Sequence, residues 1–142
     1  MAKFNSRVSI FQITDTGSTL RDISSYVERV EGLPGPRDLN PVTALGDTGV
    51  KSIAGLENVE FSVDLIWDDT ATTGPDAVIG PLRTDDTARA FDYGPKGSTT
   101  GFVKYSGTLK CLEYNISSQV GEVVKATSRW QVQGVVTRGT YA

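Results

Sequence analysis

Histidine is absent from the 142-residue sequence, and there is a single cysteine, Cys111. Without histidine the chain lacks the commonest general base, the commonest metal ligand and every His-dependent triad. One cysteine excludes an internal disulfide, and Cys111 sits in an apolar run where a thiol packs as a small hydrophobe. The opening MAKFNSRVSIF has no apolar signal core, and no window approaches the ~18 apolar residues of a membrane span. These features predict a protein made and kept in a reducing cytosol, with no membrane partner. Gly-rich phosphate loops, zinc spacings and nucleophile elbows are missing too, so no cofactor and no metal is expected.

Positive charge is also scarce. The formal net charge is −3 and the pI about 4.9, which argues against a protein that grips nucleic-acid phosphates. Lys104, Lys110, Lys125 and Arg129 could form a basic stripe on neighbouring strands, but acids interleave them, which reads as a mixed solvated face.

Valine, isoleucine, threonine and aromatics outweigh strong helix formers, and 15 glycines and 6 prolines are spread along the chain. Together with the length, this predicts one all-β domain over residues 1–142. RVSIFQIT (7–14) alternates as a strand, followed by short β-like pieces at 20–23 and up to Val30. The clearest strand is NVEFSVDLIW (58–67), with Val59, Phe61, Val63, Leu65 and Trp67 on one face and Glu60, Ser62 and Asp64 on the other. TGPDAVIGPL (73–82) is a good helix start, with proline at the first helical position and Pro81 ending it within two turns. A strand at 88–93 and two long strands follow. In the first, Leu109 and Cys111 share one parity and Leu112, Tyr114 and Ile116 the other, which a bulge near Leu112 reconciles. The second puts Val124, Ala126, Ser128, Trp130 and Val132 on one face. The count is seven or eight strands and one short helix, in an antiparallel β-barrel or sandwich.

Residues 1–6 read as an N-terminal arm, and residues 32–55 as a long Gly/Pro-rich loop or flap with room for a small hairpin at 42–53. Loops of that length in a compact domain are usually functional or ordered by a partner. Leu33, Leu39, Val42 and Leu45 are its candidate inter-subunit contacts.

Asp-Thr-Gly occurs twice, in ITDTGS (13–18) and LGDTGV (45–50). The tripeptide carries the catalytic carboxylate of pepsin-like proteases, where two aspartates share a proton. That chemistry needs the pair on symmetry-related lobes or one per subunit, and no half-repeat surrounds these copies. Asp early and Gly in a left-handed conformation is common hairpin chemistry, so Asp15 and Asp47 are read as turn residues and no catalytic residue is assigned. Asp68–Asp69 and Asp85–Asp86 lack the oxygen spacing of a calcium loop and read as solvated loop carboxylates.

Two segments resemble the major tail tube proteins of tailed bacteriophages. DISSYVERVEGLPGPRDLNPVTALGDTGVKSIAGLENVEFSVDLIWDD (22–69) is similar to the first half of that family: a short β element, an S-x-Y-V-like step, a Gly/Pro flap, a G-D-T piece and a long alternating strand. GPDAVIGPL, FDYGPKGSTTG and KYSGTLKCLEYNISSQVGEVVKATSRWQVQGVVTRGT are similar to the second half. The resemblance spans roughly residues 20–140. It implies a tail tube fold, hexameric rings stacked around a tape-measure protein, contacts with tail terminator and tail-tip proteins, and a lumen through which viral DNA leaves without specific binding. It implies location in the virion tail after assembly in the host cytoplasm. Glu60, Ser62 and Asp64 are the candidate lumen-facing residues. The alternative is a soluble β-sandwich module that binds a glycan or a host surface through exposed aromatics clustered on one face.

Overall fold

The computed structural model describes residues 6–142. Of the expected N-terminal arm only Ser6 falls within it, opening a single 3-10 turn at Ser6–Val8; residues 1–5 lie outside the described residues. Nine strands follow: β1 (Ile10–Thr14), β2 (Leu20–Asp22), β3 (Val27–Glu31), β4 (Leu39–Pro41), β5 (Ser52–Ala54), β6 (Glu60–Ile66), β7 (Arg89–Gly94), β8 (Val103–Ser117) and β9 (Lys125–Thr140). Seven of them form one sheet in the order β2-β1-β7-β8-β9-β6-β3, antiparallel throughout. The other two, β4 and β5, pair with each other and lift the count above the expected seven or eight, because the flap contains a hairpin of its own.

The long strands serve two sheets at once. β7 pairs only with the upper part of β8, from Tyr105 to Leu109, while β6 pairs only with the lower part of β9, from Lys125 to Gln131. The sheet folds over between these two attachments. Phe61 on β6 lies 5.2 Å from Phe91 on β7 and 6.1 Å from Phe11 on β1, although strand order separates them by β8 and β9. Bulges bend both long strands, since an extra residue on one side increases local twist. One falls between Cys111 and Glu113, the expected place at Leu112, and the other between Ser106 and Thr108, opposite Gly134 with its left-handed φ of 90°.

The core is built by the predicted parities. Phe61, Val63 and Leu65 of β6 are buried, as are Ala126, Ser128, Trp130 and Val132 of β9. The helix α1 (Pro75–Ile79) begins at Gly74 with Pro75 in its first turn, and Pro81 diverts the chain into a 3-10 turn at Pro81–Thr84. Val78, Ile79 and Leu82 complete the core from this side. Asp76 fastens the helix: one carboxylate oxygen accepts both the Trp67 indole N–H (3.1 Å) and the Tyr114 hydroxyl (3.0 Å). Burial, reinforced by the hydrogen bond to Asp76, holds the Tyr114 hydroxyl far above the ordinary tyrosine range.

Ser128 is the buried polar residue of this core, and both its bonds are made inside it. Its hydroxyl donates to the Val63 carbonyl (3.1 Å) and accepts the Trp130 indole N–H (2.8 Å). Removing it orphans a fully buried donor, which costs about 1–3 kcal/mol. Ser128→Ala should therefore lower the melting temperature by about 2–4 °C per kcal/mol lost. Thermal unfolding followed by tryptophan fluorescence measures this, and an unchanged midpoint would show that the pair contributes nothing.

Candidate assembly surfaces

Three features stand outside the core: the polar face of the lower sheet, the flap and the Asp-Thr-Gly turns. The lower sheet is β3-β6-β9 and the part of β8 below Leu109. Glu60, Ser62 and Asp64 lie on its face away from the core, because Phe61, Val63 and Leu65 between them are buried. The facing residues carry both signs. Arg129 pairs with Glu60 (3.2 Å) and Glu113 (3.5 Å), Lys125 with Glu28 (3.4 Å), and Arg29 with Glu31 (2.7 Å). Of the residues considered as a basic stripe, Lys125 and Arg129 are thus ion-paired, Lys110 makes no ion pair among the described residues, and Lys104 stands apart, over the Tyr141 ring at 5.3 Å.

This sheet has two unpaired edges. Below Leu109, β8 has a strand partner only on its β9 side, and β3 has one only on its β6 side. Beyond β3 lies a cleft of about 410 Å³, shared with Ser9, Ile10, Phe11 and Tyr93, where the folded sheet fails to close.

The flap divides into an anchored base and a projecting arm. Gly32 and Gly35 have left-handed φ of 105° and 90°, and a Cβ at Gly32 would lie 2.8 Å from the Glu60 carbonyl oxygen, so this base runs against β6 at a distance only glycine permits. Leu33 packs half-buried against the core at the flap's base. Leu39, Val42 and Leu45 are exposed, and sequence reasoning missed Val50, Ile53 and Leu56, which are exposed beside them. Their signal was present as apolar residues in a segment too rich in glycine and proline to pack. The hairpin strands lie at Leu39–Pro41 and Ser52–Ala54, with the second Asp-Thr-Gly in the loop between them.

Both Asp-Thr-Gly copies are hairpin turns with their own cations. Asp15 joins β1 to β2: its carboxylate accepts the backbone N–H groups of Gly17 (2.9 Å) and Thr19 (3.0 Å) and bonds Arg21 Nε (2.9 Å). Asp47 accepts the Ala44 N–H (2.7 Å) and meets Lys51 Nζ at 3.1 Å. These bonds favour the ionised form, so both carboxyls lie below the usual range: Asp15 chiefly through Thr19, then Arg21, and Asp47 chiefly through Ala44, then Lys51. A proton-sharing dyad needs the reverse for one member. The left-handed residues differ from expectation: they are Ser18 (φ 65°) in the first turn and Gly46 (φ 91°) in the second, because the carboxylate's own hydrogen bonds shape each loop.

The acidic pairs behave as turn residues as well. Asp68 accepts the Thr70 N–H (2.7 Å), and Asp85 accepts the Thr87 N–H (3.0 Å) and bonds Arg89 (2.7 Å). No group of three or more candidate metal-binding side chains occurs among the described residues. Cys111 is half-buried against the core, and burial raises its thiol above the ordinary value, as suits a packing residue.

No family model matches the chain, and no curated protein matches it in sequence. Solved structures match it in fold. The tail of an empty gene transfer agent particle, with C6 symmetry, aligns with a TM-score of 0.73 at 14% identity, over 97% of this chain and 100% of that one. The SPP1 tail tube gives 0.70 at 12% identity, over 97% of this chain and 80% of that one. A sheath/tube terminator of an extracellular contractile injection system gives 0.70 at 9% identity, over 99% of both chains. The seven-stranded folded sheet, its flanking helix and its long flap together are the fold of tail tube subunits.

Proposed function

We propose that this chain is the repeating subunit of a tail tube: a structural virion protein whose rings of six stack into a conduit for DNA. The observation that carries this reading is the correspondence in fold with tail and tube structures over 97% of the chain. The two unpaired sheet edges support it. Head-to-tail contacts that close make rings, and those that do not close make filaments. Pairing one subunit's β3 edge with the next subunit's β8 edge removes both edges at once and extends the lower sheet around a lumen.

In this arrangement the outer face of the lower sheet, with Glu60, Ser62 and Asp64, lines the conduit. A wall that held DNA by even ~0.5 kcal/mol per subunit, the scale of one exposed ion pair, would accumulate a large holding energy along a tube. An ion-paired, slightly acidic wall avoids it. The partners follow from the assembly: further copies of the chain, a tape-measure protein within the lumen, and terminator and tip proteins at the ends. The chain performs no catalysis on this reading. The glycan-binding alternative requires an exposed aromatic face, whereas Trp130 is buried and Trp67 is engaged with Asp76.

Negative-stain microscopy of the concentrated protein should show rings or tubes; a monodisperse monomer at every concentration would overturn the proposal. Leu39, Val42 and Leu45, with the other exposed residues of the arm, are assigned to docking on a neighbouring subunit. Ordering the arm costs roughly 1–2 kcal/mol per residue fixed. Replacing residues 36–50 with a short Gly/Ser linker should leave a folded monomer, its near-UV signal from Trp67 and Trp130 retained, that no longer polymerises. Normal tubes from this variant would remove the arm from assembly.

Lysine at both Glu60 and Asp64 should leave tubes intact and reduce DNA delivery in an infection assay. Undiminished infectivity would take these residues out of the lumen. Asp15→Asn combined with Asp47→Asn should alter only stability. Acid-optimum cleavage of an unfolded substrate that the pair of substitutions abolishes would restore the protease reading.

A further inference from the structure

We infer that neighbouring subunits in a ring join with a stagger of one residue pair, selected by cross-subunit ion pairs from Glu31 to Lys110 and from Arg29 to Glu113. This rests on the tube reading above and adds the register of its seam.

The direction of the strands comes first. β9 is antiparallel to β8, β6 to β9 and β3 to β6, so β3 runs opposite to β8 of the same subunit. Rotation about a ring axis preserves strand sense. The neighbour's β8 therefore arrives antiparallel to β3, and the sheet continues without a break in its alternation. On the side away from β6, β3 borders the 410 Å³ cleft instead of another strand of its own chain.

Charge then chooses among registers. Strand pairing places Glu31, Ser62, Arg129 and Glu113 in one row across the sheet, and Arg29, Asp64, Thr127 and Asn115 in the next outward-facing row. On the other side of the first row, Glu60, Gln131 and Lys110 form a third. An unstaggered seam continues each row into itself and sets Glu31 directly opposite Glu113. Like charges in that position are destabilising. A slip must be a whole residue pair, or the outward set would turn into the core. Slipping one pair toward Lys110 sets Glu31 against Lys110 and Arg29 against Glu113, with Glu28 next to Asn115. Slipping the other way sets Glu31 against Asn115 and Arg29 against Ser117, and forms no ion pair.

Two further observations agree. Lys110 is exposed and makes no ion pair among the described residues, although the other cations of this face, Arg29, Lys125 and Arg129, are all paired. A closed barrel also requires a net stagger of its strands, so a seam that slips is what closure demands.

The test is a charge swap. Lys110→Glu and Glu31→Lys, each alone, should raise the concentration for half-maximal ring formation in sedimentation about tenfold. The two together should restore it to within about threefold of the unaltered protein. Thermal melting of the dilute subunit controls for folding. The register is read independently by cysteines in a Cys111→Ala background. Arg29→Cys with Glu113→Cys should oxidise into a covalent ladder ending at six subunits, faster than Glu31→Cys with Glu113→Cys. Rings from the unaltered protein that ignore both charge reversals, a swap that fails to rescue, or faster cross-linking of the unstaggered pair would each overturn this seam while leaving the tube intact. Absence of rings from the unaltered protein would overturn the tube reading itself.

Discussion

The structure depends on one ladder, the pairing of β8 with β9. These strands are long enough to span two sheets, and the bulges within them turn the upper half over the lower. Because β7 occupies only the upper part of β8, and β6 only the lower part of β9, each half-sheet collects its own partners. The core forms where their apolar faces meet, around Phe11, Phe61 and Phe91. The same division leaves the lower part of β8 with a strand neighbour on its β9 side only. A single ladder thus creates both the hydrophobic core and the free sheet edge that the proposed assembly would use.

How much of this was legible in the sequence depended on whether local pattern or distant pairing decided it. Alternation gave β6 and β9 with their buried parities, and the conflict of parity in β8 located its bulge at Leu112. The helix start at Gly74 and Pro75 and its end at Pro81 were equally plain, since proline acts on its own backbone. The order of strands was not legible: nothing local in Phe61 says that it meets Phe11 across the fold. The free edges were hidden for the same reason, being defined by partners that stop short. Asp15 and Asp47 were read correctly as turn residues, yet the left-handed positions fell on Ser18 and Gly46. Side-chain hydrogen bonds from each carboxylate, unseen in a tripeptide, set those loops.

The flap shows why composition alone overstated its freedom. Gly32 allows close approach to β6 and Gly35 to Val59 just before it, and Leu33 between them reaches the core. Anchoring the base reduces the entropy that the docking proposed above would cost, because fewer residues remain to be ordered. It also fixes the direction in which the exposed leucines and valines emerge. An arm tethered in this way can be held away from its own subunit and still be poised for a neighbour.

The outer wall of the lower sheet carries the last consequence. Its acids, Glu28, Glu31, Glu60, Asp64 and Glu113, are nearly balanced by Arg29, Lys110, Lys125 and Arg129. Single exposed pairs of this kind add little stability. Their value lies in cancelling the field: physiological salt screens charges over ~8 Å, so a duplex close to a wall senses its local charges more than its distant net charge. A wall with unpaired lysines would hold phosphates, and one with unpaired carboxylates alone would repel them and strain its own subunits. Paired charges keep the surface hydrated while leaving little unbalanced charge for a polyanion to bind. Among the described residues of this face, every cation except Lys110 on the edge strand β8 is ion-paired, and of the acids only Asp64, on the interior strand β6, is not. Asp64 faces solvent in the middle of the sheet, whereas Lys110, the unpaired cation, lies on the strand that a neighbouring subunit would meet in the seam proposed above.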